Sequence, residues 1–524
     1  MEDNIDSILI VGGGDAGLLT GLCIRQLNPD VSIAIVDDSA DSRSTLGKST
    51  FKLIVDILHE FLEIPPSRFV ETVKPVWKGS VFFRDWCGLP PFHFPFDHLQ
   101  VFPRRLLPNS LAHDVHVYEL IYTTPEYRTT NEEMVAQQRT PYSFSPDGGL
   151  DTYSSFAYHL SVERFNRFLR TLCAERNIGL IDDQITTVAT QGNHVEHLSS
   201  HDERYTADLY IDATGFNRVL RSELDGSFTD FGLPLDSAVN TQIDLSLSSI
   251  VPATVIETGD AGWYWQIDTY DNRDVGYVFS SEHVDVDDAV AEFNQHMDGA
   301  ISKDELVTYS FTSGYYPETW ATNCLAIGNA AGFVEPLQST GLTANAQAAV
   351  ILSTLLSSHG RINDRAIRET YNTCVSRIWE SIYDFVSLHY AYAPGENEFW
   401  TDMRSVELSP RTLAIVEEFQ RRGFATNIDP TEYHEQINNL MIFPLVTYYA
   451  IMRSMGATSA FYEEHDFDST ADVERQWTEH FEQIKDRVGD FLSYEEFYLG
   501  LSVDERTQLV PDHQSTYFAA EHPT

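Results

Sequence analysis

Lysine is scarce in this chain. Only six occur in 524 residues (Lys48, Lys52, Lys74, Lys78, Lys303 and Lys485), and the other 28 of the 34 basic residues are arginine. Against 79 acidic residues this leaves a formal charge of −45. Such a surface repels phosphate backbones and anionic headgroups, which argues against nucleic-acid binding and a membrane-surface role. It stays soluble where salt screens self-repulsion, the Debye length being roughly 3 Å at 1 M. Acid excess with lysine avoidance therefore points to a salt-adapted, halophilic protein. Cysteine is also rare: the five residues show no C-x-x-C spacing and read as reduced core thiols, and no metal site is expected. A long apolar run is missing too. The longest lies near residues 440–452, is interrupted by Pro444 and Thr447, and is too short to span a bilayer. The acidic start, Met1 to Ser7, is not a targeting segment, so a cytoplasmic location is expected. Repeats, low-complexity blocks and obvious linkers are lacking as well. What remains is 42% hydrophobic and 12% aromatic, enough for a large core in one composite domain or two to three ordinary ones.

The clearest pattern is at the start. Ile8-Leu-Ile-Val11 reads as a buried strand, and Gly12-Gly13-Gly14-Asp15-Ala16-Gly17 fits G-x-G-x-x-G. A helical pattern follows over Leu18 to Leu27, then a strand over Ser32 to Val36 that ends at Asp37. Glycines permit a tight turn and close approach to a pyrophosphate, and a helix N-terminus favours its charge. Asp37, 20 residues after Gly17, suits a ribose hydroxyl. Two further strands end in small residues: 207–215, closing on Ala213-Thr214-Gly215, and 324–332, closing on Gly328-Asn329-Ala330. A long helix is expected from Gly341 to Ser357, and another from Arg164 to Glu175. Three strand junctions returning to one ligand suit FAD held along its length better than a single NAD unit. Residues 240–281 alternate and read as a sheet outside the nucleotide part; residues 360–393 read as helical. The expected fold is α/β: an FAD-binding Rossmann-like (GR2-type) module, a mixed β-sheet module on the substrate side and a mostly helical C-terminal part. The expected division is a core over 1–395 and a helical extension over 396–524. Within the core, FAD elements lie near 8–50, 160–217 and 324–357, and sheet near 75–150 and 225–315.

Four segments carry a resemblance. Trp263-Tyr264-Trp265-Gln266-Ile267 matches W-x-W-x-I-P. Lys78 follows Trp77 and precedes Val81-Phe82-Phe83 and Trp86. Glu335-Pro-Leu-Gln338-Ser339-Thr340-Gly341 matches E-P-L-E-S-T-G. Asp384-Phe-Val-Ser-Leu-His389-Tyr390, followed by Phe399-Trp400, matches D-F-I-x-L-H-Y…F-W. In this order, over residues 8–400, they resemble the flavin-dependent, tryptophan-type halogenase family within the FAD-dependent monooxygenases.

The resemblance implies an oxidoreductase using FAD (as FADH2), O2 and chloride or bromide on a small, electron-rich aromatic or heteroaromatic substrate. A separate flavin reductase would serve it, and a homodimer is an assembly to test. It implies that Lys78 receives the oxidised halogen, with Gln338 and Ser339 beside it. Trp263 and Trp265 would shield the flavin, and Thr340 and Gly341 would offer backbone N–H groups to halide at a helix start. To the cofactor contacts at Gly12, Gly13, Gly14, Ala16, Gly17 and Asp37 it adds Lys48, Thr50, Val188, Gly215, Gly328 and Asn329. Taken without the resemblance, the two Trp are alternating strand residues in an aromatic core, Lys78 is a surface lysine, and Thr340 is an ordinary helix cap.

The sequence also departs from the pattern. Gln338 stands for Glu; an amide hydrogen-bonds but takes no proton, which suits a substrate such as a phenol or pyrrole. A restored carboxylate is expected to raise turnover if its loss is limiting. Asp268 replaces the Pro of the Trp motif, Lys48 stands where relatives often have Glu, and Asn329 replaces a more apolar residue. Alternatives from the same superfamily are a flavin hydroxylase or an isoprenoid reductase; from another class, a non-catalytic FAD-binding protein.

Overall fold

The computed structural model describes residues 3–38, 47–97, 120–153, 155–302, 305–359, 362–424, 442–464 and 471–510. Among these, the apolar run Ile8–Val11 is the centre of a six-stranded sheet. Its order is Gly179–Asp182, Ser32–Asp37, Ser7–Val11, Leu209–Asp212, Cys324–Ala326 and Trp320–Ala321. All neighbours are parallel except the last pair. The chain leaves Ser7–Val11 towards one side and returns on the other, a topological switch point, and ligands sit beyond the carboxyl ends of strands there. The strands are apolar on both faces: helices cover one, and the small sheet of Thr187–Gln191, His194–Ser199 and Arg204–Tyr205 packs on the other. Asp15–Leu27 packs on Gly341–Ser358, where Ser353 Oγ donates to Cys23 O at 2.6 Å and Asn28 Nδ2 to Ser353 O at 3.0 Å. Val162–Glu175 is amphipathic, burying Phe165, Phe168, Leu169 and Leu172.

The alternating stretch forms a seven-stranded sheet ordered Val307–Ser310, Ser237–Asp244, Asn272–Phe279, Gly262–Asp268, Ala253–Thr258, Ser80–Phe83 and Phe92–Pro95. It is antiparallel except where Ala253–Thr258 runs parallel to Ser80–Phe83. A third, small sheet joins Lys48–Ser49, Ala157–Leu160 and Val76–Lys78. The chain passes from this small sheet to the large one at Gly79, so Lys78 is the last residue of one sheet before the next begins. A Cβ on Gly79 would lie 3.3 Å from Asn131.

The helical reading of 360–393 needs one correction. Ile362–Asn363 pairs with Asp3–Asn4 as a short strand, and the helix spans Arg365–Ala391 after an Asp364 cap. Part of the expected sheet region, 98–119, and parts of the C-terminal extension, 425–441, 465–470 and 511–524, lie outside the described residues. No helix among the described residues is long and apolar enough to cross a membrane, and no cluster there could hold a metal ion.

Candidate active site

A cavity of about 570 Å³ opens at the switch point. It collects Gly12, Gly13, Gly14, Ala16, Asp37, Lys48, Gly215, Gly328 and Asn329, together with Trp265, Ser339, Thr340 and Gly341. The glycine loop is tight for a reason visible atom by atom. A Cβ on Gly17 would lie 2.0 Å from Gly12 O, and one on Gly12, whose φ is +107°, 2.4 Å from Ala213 O. A Cβ on Gly14 would meet nothing within 4 Å, so the loop is open on the cavity side. The helix behind it starts without a side-chain cap from Gly14, and of its first N–H groups that of Ala16 donates to Asp15 Oδ1 at 3.0 Å. Asn345 lines the same cavity, and its buried Oδ1 has no partner among the described residues. A phosphate-bearing, hydrogen-bonding ligand of dinucleotide type fits these features.

Asp37 is held differently from the simple expectation. Its carboxylate accepts from Gly13 N at 2.8 Å and pairs with Arg170, which also donates to Gly13 O. Lys48 is 3.5 Å from Asp15 across the cavity rim. Three expected contacts do not line the cavity. Val188 lies on the separate hairpin Thr187–Gln191, packed with Leu198 in a second core. Thr50 is fully buried behind the wall, bonding Tyr158 through its hydroxyl. Gly17 shapes the loop without lining the space.

Trp263 and Trp265 project from one face of Gly262–Asp268, ring centroids 6.2 Å apart, and both are buried. Trp265 lies across Gly276 on the neighbouring strand; a Cβ there would be 2.2 Å from the indole. Gly276→Ala is therefore expected to displace the ring, costing about 1–3 kcal/mol of stability and weakening flavin retention, read as a lower denaturant midpoint and faster flavin loss. Trp263 Nε1 donates to Tyr390 Oη at 3.0 Å, and the Tyr390 hydroxyl is hydrogen-bonded to Glu335 Oε2, 2.9 Å away. Glu335 Oε1 accepts from Leu337 N, and burial pushes the carboxyl up to about 8. The Asp268 that replaces proline closes its turn by accepting from Val251 N at 2.8 Å and from Arg273 Nε at 2.7 Å.

Beyond this wall is Lys78, with no exposed surface. Its Nζ contacts Ser49 Oγ at 2.9 Å, Thr50 O at 3.2 Å and Ser339 Oγ at 3.1 Å, and lies 5.2 Å from the Phe96 ring centroid. Burial drives its pKa well below the usual lysine value. Ser49 and Ser339 also line the cavity, so a single hydroxyl, by either of two routes, separates the amine from the nucleotide space. Ser339 holds a left-handed backbone, φ 57°, a strain that proteins keep at functional positions. Phe51, Phe94, Phe96, Phe385 and Phe443 form a continuous aromatic cluster here, Phe385 and Phe443 stacking at 4.0 Å.

Gln338 is buried and bonded to His389, Nε2 to Nε2, at 2.8 Å. His389 Nδ1 faces Phe385 O at 2.8 Å, and a carbonyl only accepts, so Nδ1 carries the ring proton. Burial pulls the ring down to about 4, leaving Nε2 as a bare acceptor at neutral pH. The Gln338 amide must donate to it, which leaves Gln338 Oε1 without a partner among the described residues. A carboxylate here would set lone pair against lone pair. Gln338→Glu is therefore expected to cost about 1–3 kcal/mol of stability at neutral pH, seen as an earlier denaturation midpoint, whatever its effect on turnover.

Glu335, Tyr390, His389, Thr254 and His159 have no assigned role in the sequence reading. The first three sit inside quoted motifs, and that is the signal that could have found them.

The tryptophan halogenase family model matches residues 7–466. The chain is 26% identical over 459 residues to the 7-chloro-L-tryptophan 6-halogenase KtzR of Kutzneria sp. (strain 744), covering 82% of this chain and 87% of that one. It is 27% identical over 436 residues to the tryptophan 6-halogenase SttH of Streptomyces toxytricini, covering 77% and 81%. Among solved structures, MibH, a lanthipeptide tryptophan 5-halogenase, superposes with a TM-score of 0.81 at 26% identity, covering 96% and 94%. BrvH, a flavin-dependent halogenase from Brevundimonas sp. BAL3, gives 0.78 at 24%, covering 95% and 100%, a likeness of fold.

Proposed function

Because this chain belongs to the tryptophan halogenase family and is, as such, a flavin-dependent oxidoreductase, we propose that it halogenates an electron-rich aromatic substrate by passing hypohalous acid from the nucleotide cavity to Lys78. The observation that carries this is the fully buried Lys78 amine, bound to two serines that line the cavity. The residues that would hold FAD are the loop Gly12 to Gly17, Asp37, Lys48, Gly215, Gly328 and Asn329. When bound reduced, flavin supplies with O2 the oxidant that converts halide and a proton to hypohalous acid, water being the other product. The halide would be held at the start of the Gly341–Ser358 helix, whose first N–H groups have no side-chain cap. Trp265 walls the cavity, backed by Trp263, and keeps the organic substrate from the flavin.

Lys78 holds the electrophile by hydrogen bonding or as a haloamine, in a water-poor site where burial keeps the amine ready to shed its proton. From hydrogen-bonded hypohalous acid, a ring carbon–halogen bond forms, the oxygen–halogen bond breaks, and the displaced ring proton leaves with the hydroxide as water. From a haloamine, whose formation has already released water, the nitrogen–halogen bond breaks and the ring proton returns to the amine. The amide at Gln338 cannot take that proton, which favours substrates that shed charge through their own O–H or N–H, such as phenols and pyrroles. A separate reductase supplies the reduced flavin. The test is mass spectrometry after incubation with FADH2, O2, bromide and a phenol, pyrrole and indole panel. A paired bromine isotope pattern is expected; hydroxylated or reduced product indifferent to halide would overturn the reading.

The acidic surface belongs to the same reading of a halophilic, cytoplasmic enzyme. With a formal charge of −45, lowering KCl from about 1 M to about 0.1 M lengthens screening roughly threefold. The far-UV circular dichroism of the helices is expected to collapse over that range, and an unchanged spectrum would remove the salt-adapted reading.

A further inference from the structure

Lys78 is bound at its back by a chain of groups whose hydrogen-bond direction can be worked out one proton at a time. His159 is fully buried, its Nδ1 3.0 Å from Asp268 O and its Nε2 3.0 Å from Thr254 Oγ1. A carbonyl oxygen has no proton to give, so Nδ1 carries the hydrogen. Burial, with the charge of Lys78 adding to it, pulls the ring down to about 3, so Nε2 is a lone pair. Thr254 must then donate its hydroxyl proton to His159. That leaves the Thr254 oxygen as acceptor towards Ser49 Oγ, 2.7 Å away, and Ser49 must donate to it. With its proton spent there, Ser49 can only accept from Lys78 Nζ at 2.9 Å, and Thr50 O likewise only accepts, at 3.2 Å. Two of the amine's N–H bonds are thus committed backwards, into the small sheet. Its third position faces Ser339 Oγ at 3.1 Å, and Ser339 lines the nucleotide cavity.

We propose that Thr254 and His159 are positioning residues for Lys78: together with Asp268 O they set the polarity of Ser49, pin two amine hydrogens to Ser49 and Thr50, and aim the remaining valence of the nitrogen at Ser339 and the cavity beyond. This rests on the halogenase reading for its consequence, because that valence is where the halogen would arrive. The tautomer and the amine geometry stand without it. The arrangement also explains why His159 is tolerated in a dry core: both ring nitrogens are satisfied, and neither needs a charge. It gives the buried Asp268 turn a second purpose, since the same residue that closes the strand with its side chain anchors the chain with its carbonyl.

The test uses the flavin-loaded protein. With only six lysines, ¹³Cε-lysine labelling yields a spectrum in which Lys78 is identified by its loss in Lys78→Met; ¹⁵N-histidine labelling identifies His159 by its loss in His159→Phe. The wild type is expected to show the Nδ1–H tautomer at His159. Thr254→Val, which keeps the shape and removes the hydroxyl, is expected to shift the Lys78 Cε signal and to lower the fraction of oxidised halide delivered to substrate, against that caught by a taurine trap, about tenfold. Thr254→Ser, which restores the hydroxyl, is expected to recover both. An Nε2–H tautomer in the wild type, or a Thr254→Val protein with an unmoved Lys78 signal and wild-type delivery, overturns the proposal. A wild type that halogenates nothing would defeat the functional reading alone, since the tautomer and the Lys78 signal are read without turnover.

Discussion

Lys78→Ala is expected to reduce halogenated product at least about a thousandfold, a barrier increase of about 4 kcal/mol, while flavin still binds. The nucleotide cavity does not include Lys78 among its walls, so its occupancy does not depend on the amine. Product formation does, because among the described residues no other lysine is fully buried with its nitrogen on cavity-lining serines. Lys74 is bound to Tyr270 away from the cavity, and Lys52 reaches Ser155 at 3.5 Å. The alanine also removes the amine donor from Ser49, Thr50 and Ser339, at about 1–3 kcal/mol of stability. Lys78→Met fills the volume and separates the two effects: it is expected to fold closer to wild type and to remain inactive. The measurement is product by liquid chromatography and mass spectrometry at matched flavin occupancy. A yield above a tenth of wild type would take Lys78 out of the mechanism.

Gly17→Ala is expected to abolish flavin binding and to destabilise the protein by more than about 4 kcal/mol. Its added methyl carbon would lie 2.0 Å from the carbonyl oxygen of Gly12, a backbone atom that cannot swing aside. Gly12 is itself fixed against Ala213 at φ +107°, so the displacement passes into a second strand. Gly14→Ala is the matched control, because its methyl would enter open space; it is expected to keep the fold. Flavin fluorescence titration and denaturant midpoints read both. If Gly17→Ala retains wild-type affinity, the tight-loop account fails.

The glycine loop, its helix and its strands were readable because they are local: strand, turn and helix follow one another within residues 8–37, and their spacing encodes the turn. The buried state of Lys78 was readable only through the motif around it. Composition assigns lysine to the surface, and what buries this one is the passage from one sheet to another at Gly79. The misplacement of Val188 has the opposite origin. An apolar residue in an alternating strand tells which face is buried but not which core receives it, and this one faces Leu198. Thr254 and His159 were out of reach for a related reason. Their partners are brought together by the register of Ala157–Leu160 with Lys48–Ser49 and of Ala253–Thr258 with the strand beside it, and side-chain hydrogen bonds across such distances leave no periodicity in the chain.

Consecutive residues near the end of the Arg365–Ala391 helix grip the two halves of the active centre, Tyr390 through Glu335 and Trp263, and His389 through Gln338. Because both grips sit on one turn of one helix, a displacement of that turn is expected to move them together. A chimera that imports a relative's substrate-shaping segments while leaving this turn intact is expected to keep the spacing of Trp263, Glu335 and Gln338.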